Sequence, residues 1–533
     1  MGRARVERVI LAAWVAVAAA APAEAQVWFA GAQPSAAFTE ALGVLAAARE
    51  QGLDPADYDA PGLAGRAAAA ATDADRAIVG EAVEAAVHRY LADLSLGRVA
   101  GRTAGMLGEL PTRAADLEAS LRALAAGDDL RRIAASVEPR YPSYRRLAAA
   151  LARWRERHAG PQPPDVPAAP EVKAGSAWDG AAPLRARLAW LGDVPVYAVG
   201  AAAEGNADRA VTDGSADGAP TGKGPVAPAA APLRYDTELV EAVKRFQARH
   251  GIAADGALGK PTLAALNASP ARRVRQIELA MERLRWLPDP GRRLVYVEVP
   301  RAMLWALDLE RGGEDLTMRL VVGEAREHAT PMLASRITGV VFRPYWVPTK
   351  EIVREEILPR ERAKPGWLAA HGMEIVASGA EDAASLAPDA ENLAAVEQGR
   401  LTVRQRPGPR NDLGPVKFVV PNPACIALHG TPNRRLFDRP RRDRSHGCVR
   451  LEDPTSLAEW VLHGQDGWGR ARIEAAMKRA RPTGVRLREP VSLAVAYATA
   501  SVDPDGTEHF LEDIYGLDAA LERELAGRRA ASR

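Results

Sequence analysis

Cysteine is almost missing from this chain: 533 residues carry two, Cys425 and Cys448, which excludes a disulfide-stapled scaffold. Net charge is nearly missing as well. Seventy basic residues face 68 acidic ones, a formal charge of +2, so no global field draws the chain to nucleic acid or an anionic membrane, and electrostatic specificity has to be local. Aromatics make up only 5%. With the heavy use of Ala and Arg, that reads as a compositional habit of the source, and nothing functional is drawn from it. Beyond the first 25 residues no apolar run approaches the ~20 residues of a membrane-spanning helix. What is present is an ordinary globular balance, 47% hydrophobic and 26% charged, in a chain too long for one core.

Residues 1–25 read as an export signal. Arg3, Arg5 and Arg8 precede the apolar run Val9 to Ala21, and Ala23-Glu24-Ala25 puts small residues where a signal peptidase reads. An uncleaved anchor is the alternative, for which the run is short. Either way the body lies outside the cytoplasm. Residues 26–160 have helical periodicity and no strand signal, predicting a helical scaffold domain. Repeated prolines (Pro161, Pro163, Pro164, Pro167, Pro170) mark a linker over 161–180. A small module follows over 181–270. Leu184 and Leu188 lie on one helix, and Leu239, Val243 and Phe246 on another at i, i+4 and i+7. Asp255-Gly256 forms a turn, and Thr262 to Leu266 starts a third helix. The Ala/Gly/Pro/Asp-rich stretch 200–231 reads as an insertion of low complexity.

After a connecting helix (271–290) the pattern turns to strands across 291–510, with candidates at Leu294 to Val299, Met303 to Leu309, Leu316 to Val322, Ile337 to Phe342, Leu401 to Arg406, Val416 to Val420, Cys425 to Leu428 and Val491 to Thr499. A helical stretch at 351–398 interrupts them. An insertion of that size reads as a lid or extra subdomain, and a terminal helix closes the chain at 511–533.

The informative segment is His429-Gly430-Thr431-Pro432, an arginine-rich loop, then Ser445-His446-Gly447-Cys448-Val449-Arg450-Leu451. A free thiol has a pKa near ~8.5, so a nucleophilic cysteine needs a neighbour that takes its proton. Imidazole does this, and two compete. His429 is expected at a strand end with Gly430 and Pro432 turning the chain away, and Cys448 follows 19 residues later, enough to fold back. His446, two residues before the thiol, is expected to orient or pack. His429 is therefore the expected base, with the Gly430 carbonyl holding its other nitrogen. Gly447 lets its own N–H and that of Cys448 face an oxyanion. Most loop arginines read as solvated surface; Arg450, two residues past the nucleophile, is the one suited to a substrate carboxylate. The plain alternative for Cys448 is a buried structural thiol. Cys425 reads as strand core, ~13 Å from His429 along a strand, beyond the ~7 Å limit for a disulfide to a Cys448 facing that histidine. A zinc site from His429, His446 and Cys448 has no fourth ligand at metal-site spacing.

The His…Ser-His-Gly-Cys pattern resembles the L,D-transpeptidase (YkuD-type) family. The likeness extends to Thr330-Pro331, Pro344-Tyr345-Trp346-Val347-Pro348, Gln405 to Gly408, Asn411 with Leu413-Gly414, and the tail Asp513-Ile514-Tyr515-Gly516. Phe246-Gln247, His250-Gly251, Asp255-Gly256, Gly259, Thr262-Leu263 and Leu266-Asn267 resemble a peptidoglycan-binding module. Together these resemble the large subgroup with a helical scaffold and a capping insertion. The resemblance implies a multidomain α+β protein whose C-terminal catalytic domain is mainly β and sandwich-like. It implies a periplasmic cysteine acyltransferase that works on peptidoglycan tetrapeptide stems. Cys448 would form a thioester with release of D-Ala, a second stem amine would take the acyl group as a 3→3 cross-link, and carbapenems would acylate the cysteine. Ser445, His446 and Arg450 would contact substrate, with no metal, cofactor or nucleic acid involved. Many relatives have Tyr two residues before the histidine and Asp just after it; here these are Ala427 and Gly430. A carboxypeptidase, a protein-to-peptidoglycan ligase, or a non-catalytic wall-binding protein are the alternatives.

Overall fold

The protein is described from a computed structural model covering residues 25–108, 113–168, 172–194, 234–312, 314–325 and 327–531. The expected export signal, apart from Ala25, and the insertion at 200–231 lie outside the described residues. No described helix is long and apolar enough to cross a membrane. The chain forms two compact units, one of residues 1–148, 278–498 and 513–533, the other of 149–277 and 499–512. Residues 499–512 group with the second unit.

In the first unit, the helix Asp73–Leu96 shows why the N-terminal part folds. Thr72 and Asp75 form a reciprocal capping box at its start. Val79, Val83, Val87, Leu91 and Leu94 recur along one buried stripe. Past its end, the buried carboxylate of Glu282 bonds the Arg98 side chain at 3.2 Å and Arg285 at 2.9 Å, so a charge taken from water is paired twice. Two corrections to the all-helical expectation arise here. Phe29–Ala30 and Gln33–Pro34 make a short ribbon, and β1 (Leu107–Gly108) joins the main sheet alongside Leu333 and Ala334.

That sheet continues as β2 (Arg293–Glu298), β3 (Met303–Asp308), β4 (Glu314–Gly323), β5 (Leu333–Phe342), β6 (Val416–Val419), β7 (Leu428–His429), β8 (Asp443–Ser445), β9 (Val449–Leu451) and β10 (Thr483–Ala496). Its order is β6-β7-β9-β4-β3-β2-β10-β5-β1, with β8 on β4 and a further pairing of β5 with β6. Because β5 pairs with both β10 and β6, the sheet returns on itself. The expected sandwich is replaced by one continuous closed sheet. Alternation fills its core: Leu294, Val295, Val297, Leu304, Leu320, Phe342, Phe418, Leu428 and Val449 are all buried.

The insertion is not purely helical as expected. Helices Leu358–Ala363, Trp367–Ala370 and Ala390–Glu397 pack on a three-stranded sheet of Met373–Val376, Ser385–Leu386 and Thr402–Gln405. The strand expected near Leu401 to Arg406 thus belongs to the insertion. Val353, Ile357, Leu358, Leu368, Ile375, Val396 and Val403 give it a core of its own.

The second unit contains the expected three-helix module, Ala181–Leu191, Thr237–Arg249 and Lys260–Leu266, around Leu184, Leu188, Leu239, Val243, Phe246 and Leu266. Its sequence pattern has a physical basis. Buried Gln247 donates to Asp255, to the Ala257 carbonyl and to Thr262, and accepts from the Gly256 N–H. Gly256 has φ 77°, which only glycine adopts freely. The hairpin Ala500–Val502/Glu508–Phe510 belongs to this unit, with Glu508 accepting from Arg153 and Trp154.

Candidate active site

The site is built where short strands end on one face of the closed sheet. β7 pairs antiparallel with β6, placing Lys417 opposite His429. It pairs parallel with β9, placing Leu428 opposite Val449 and His429 opposite Arg450. Directly paired residues share a face. Phe418, Leu428 and Val449 therefore point into the core, and Lys417, His429 and Arg450 point away from it. The ladder continues one bond before β9, from the Val449 N–H to the Ala427 carbonyl at 3.0 Å. Cys448 thus lies beside Ala427, one diagonal step from His429 on the same face.

His429 is buried, and its Nδ1 lies 2.5 Å from the Gly430 carbonyl. A carbonyl can only accept, so Nδ1 carries the proton and Nε2 keeps its lone pair. Burial, helped by the positive charge of Arg450, pushes the imidazolium down to about 3. Burial also pushes the Cys448 thiol up, against partial compensation from the Ala427 backbone, Lys417 and Arg450. At neutral pH the pair rests as thiol and neutral imidazole. Among the described residues no hydrogen bond joins the sulfur to the ring.

The loop before the cysteine is held tightly. Ser445 is buried; its hydroxyl donates to the Cys448 carbonyl at 2.6 Å and accepts the Gly447 N–H at 3.2 Å. The Ser445 hydroxyl is thus engaged in the turn, and the Gly447 N–H, expected to face an oxyanion, is bonded to that hydroxyl instead. The Cys448 N–H is the donor with no partner among the described bonds. Gly447 has φ 99°, so a side chain there would strain the turn. Its carbonyl accepts from Thr330 Oγ1 at 2.8 Å, and the same oxygen accepts the Gly323 N–H. The Thr330 N–H reaches Tyr515, whose hydroxyl donates to the Gly323 carbonyl.

His446 makes no hydrogen bond to the sulfur among the described residues. Its Nε2 lies 2.5 Å from Glu356 of the insertion, and its ring packs at 4.5 Å from that of His328. Glu356 lies in a π-helical turn, Val353–Ile357, and also pairs with Arg360. Arg450 has a buried Nε without a partner, and no ion pair holds its guanidinium among the described residues. Cys425 departs furthest from expectation. It is exposed, has φ 54°, and lies in a turn rather than in strand core. Pro421 and Pro423 stop the strand, and the Asn422 side chain shapes the turn by bonding the Val420 and Ile426 backbones. The premise that Cys425 sits four strand residues from His429 falls with it; both cysteines are free thiols.

Residues 292–473 match the L,D-transpeptidase catalytic domain. Residues 20–151 match the scaffold domain and 226–266 a "Putative peptidoglycan binding domain". A "Putative L,D-transpeptidase" of Haemophilus influenzae is 30% identical over 247 residues, which are 46% of this chain and 48% of that protein. The chain thus spans about half the length of the curated relative it matches. A crystal structure of the L,D-transpeptidase (residues 123–326) from Xylanimonas cellulosilytica DSM 15894 is 16% identical and covers 63% of this chain and 100% of that one, with a TM-score of 0.16. A score that low carries no argument. Around the candidate site, sequence reasoning missed Glu356 and the anchoring role of Thr330 and Tyr515. The pattern of Thr330-Pro331 and of the tail was the only signal for these.

Proposed function

We propose that the protein is an exported peptidoglycan L,D-transpeptidase in which Cys448 is the nucleophile and His429 its base. The observation that carries this reading is the parallel register of β7 and β9, which sets imidazole and thiol one diagonal step apart on one face. The Gly430 carbonyl, by holding Nδ1–H, leaves Nε2 as the basic atom. Because both groups rest neutral, the thiol proton passes to Nε2 as sulfur attacks the carbonyl carbon of the stem's third residue. A C–S bond forms, the C–N bond to the terminal D-Ala breaks, and the imidazolium returns the proton to the leaving amine. In the second half the amine of another stem attacks the thioester. A C–N bond forms and the C–S bond breaks; the ammonium has lost one proton to solvent before attack and gives the second to sulfur through His429. The product is a 3→3 cross-link. Arg450, unpaired beside the sulfur, is suited to a stem carboxylate, and the Cys448 N–H to the oxyanion.

The match of residues 226–266 to a peptidoglycan-binding domain supports the wall as partner, and the N-terminal sequence supports a periplasmic location. A carbapenem is expected to acylate Cys448. The test is mass analysis of tetrapeptide stems incubated with the protein. Release of D-Ala together with dimer formation supports the proposal. Release without dimers means that water is the acceptor, and no release at all overturns the enzymatic reading.

A further inference from the structure

The carboxylate of Asp412 stands in the turn before β6. Among the described residues no hydrogen bond or ion pair reaches it, while its backbone N–H donates to the Gln405 side chain at 2.9 Å. The turn itself is rigid. Its neighbour Asn411 is buried and donates to the carbonyls of Pro344, Gln405 and Arg406. On the other side, the Leu413 carbonyl lies against the His429 ring. Gly414 packs on the backbone of Gly430 and Thr431, where an added Cβ would lie 2.6 Å from the Thr431 nitrogen. Asp412 is thus fixed at the edge of the nucleophile site. The charged groups facing it are Arg450 from β9, and His371 and Glu356 from the insertion.

This arrangement separates charge by task. Arg450, with its unpartnered buried nitrogen, is the cation beside the sulfur. Glu356 is committed to His446 and Arg360, so Asp412 is the anion left available. Resting on the transpeptidase reading above, we propose that Asp412 is the acceptor-recognising residue, holding the ammonium of the incoming stem against the thioester at Cys448. A half-buried carboxylate without hydrogen bonds is costly in the empty site, and a bound ammonium supplies the missing partner. Burial raises its proton affinity, as expected of an anion awaiting its counter-charge. The bland reading makes Asp412 only the counter-charge of Arg450, which would affect both halves of the reaction alike.

The partition of the thioester separates the two. Wild-type protein and the variants Asp412→Asn and Asp412→Glu are given a tetrapeptide donor with increasing acceptor stem, and dimer and hydrolysed tripeptide are counted by mass spectrometry. Asp412→Asn is expected to shift the partition toward hydrolysis by roughly tenfold, the loss of one charged hydrogen bond, and Asp412→Glu to restore most of it. An unchanged partition, or equal slowing of transfer and hydrolysis, overturns the inference and leaves the transpeptidase reading standing. Absence of D-Ala release by the wild type overturns both.

Discussion

The closed sheet and the insertion meet at the same loop but are built on different physics. The sheet is held by registered strands and an apolar interior, and its candidate site residues are on the outward half of an alternation: Lys417, His429 and Arg450 outside, Phe418, Leu428 and Val449 inside. The insertion has a small core and relies on ions. Buried Glu374 takes Arg404 at 2.7 Å and Arg406 at 2.8 Å, and Arg362 pairs with Glu397 at 2.6 Å. Between them runs the Glu356–His446 pair, whose side chains are 29% and 39% exposed. A partly exposed ion pair contributes only about 0–1 kcal/mol. The difference teaches that His429 and Cys448 sit on or beside registered strands, whereas the Glu356–His446 contact between the insertion and their loop is easily given up.

The largest expected effect tests whether chemistry belongs to the sheet alone. Cys448→Ala is expected to abolish stem dimers, a loss on the order of 10⁴-fold or more. Cys425→Ala, in an exposed turn, is expected to leave them within a factor of about two. Comparable loss from both, read by mass analysis of stems, would remove the assignment of roles.

Next is the resting charge of the pair. His429 binds a proton only near pH 3, far below an ordinary histidine, so it stays neutral as pH falls through 6.5. The thiol lies above its ordinary value. Alkylation of Cys448 by iodoacetamide is expected to rise steadily, about tenfold per unit, from pH 6 to 9 as thiolate appears. A plateau between pH 6 and 8 would show a preformed thiolate–imidazolium pair instead. The same depression makes His429 a liability in acid: the unfolded state takes up its proton first, so this contribution to stability is lost as pH falls from about 6.5 toward 3.

The anchoring of the nucleophile loop comes third. Thr330→Val leaves the buried Gly447 carbonyl and Gly323 N–H without a partner, which costs about 1–3 kcal/mol. Thermal unfolding is expected to show a lowered midpoint, and dimer formation a parallel loss. An unchanged midpoint would mean that water or Tyr515 replaces the hydroxyl.

How far these features could be read beforehand follows from the range over which each is determined. His429, Cys448 and Arg450 stand within 22 residues of one another, and their types and spacing already imply a site. The three-helix module was legible because its apolar spacing and its turn residues are local. Cys425 misled because the apolar run around it looks like a strand, whereas Asn422 and two prolines impose a turn. The Gly447 N–H was misassigned because a side chain two residues away competes for it. The closure of the sheet, the insertion's own strands, and the reach of Tyr515 to Thr330 across 185 residues depend on contacts that no local pattern encodes.

The smallest effect bears directly on the comparison. Glu356→Ala removes the bond to His446 but touches neither core. If the insertion is stable in itself and only lightly tied to the sheet, hydrogen exchange is expected to quicken by no more than about fivefold in residues 350–363. The strands around His429 and Cys448 should keep their protection, and the rate of Cys448 alkylation should hold within a factor of about two. Equal loosening of β7 and β9 would show that the two parts open together. The Glu356–His446 contact would then support the loop before Cys448 itself, and the separation of sheet from insertion drawn above would have to be abandoned.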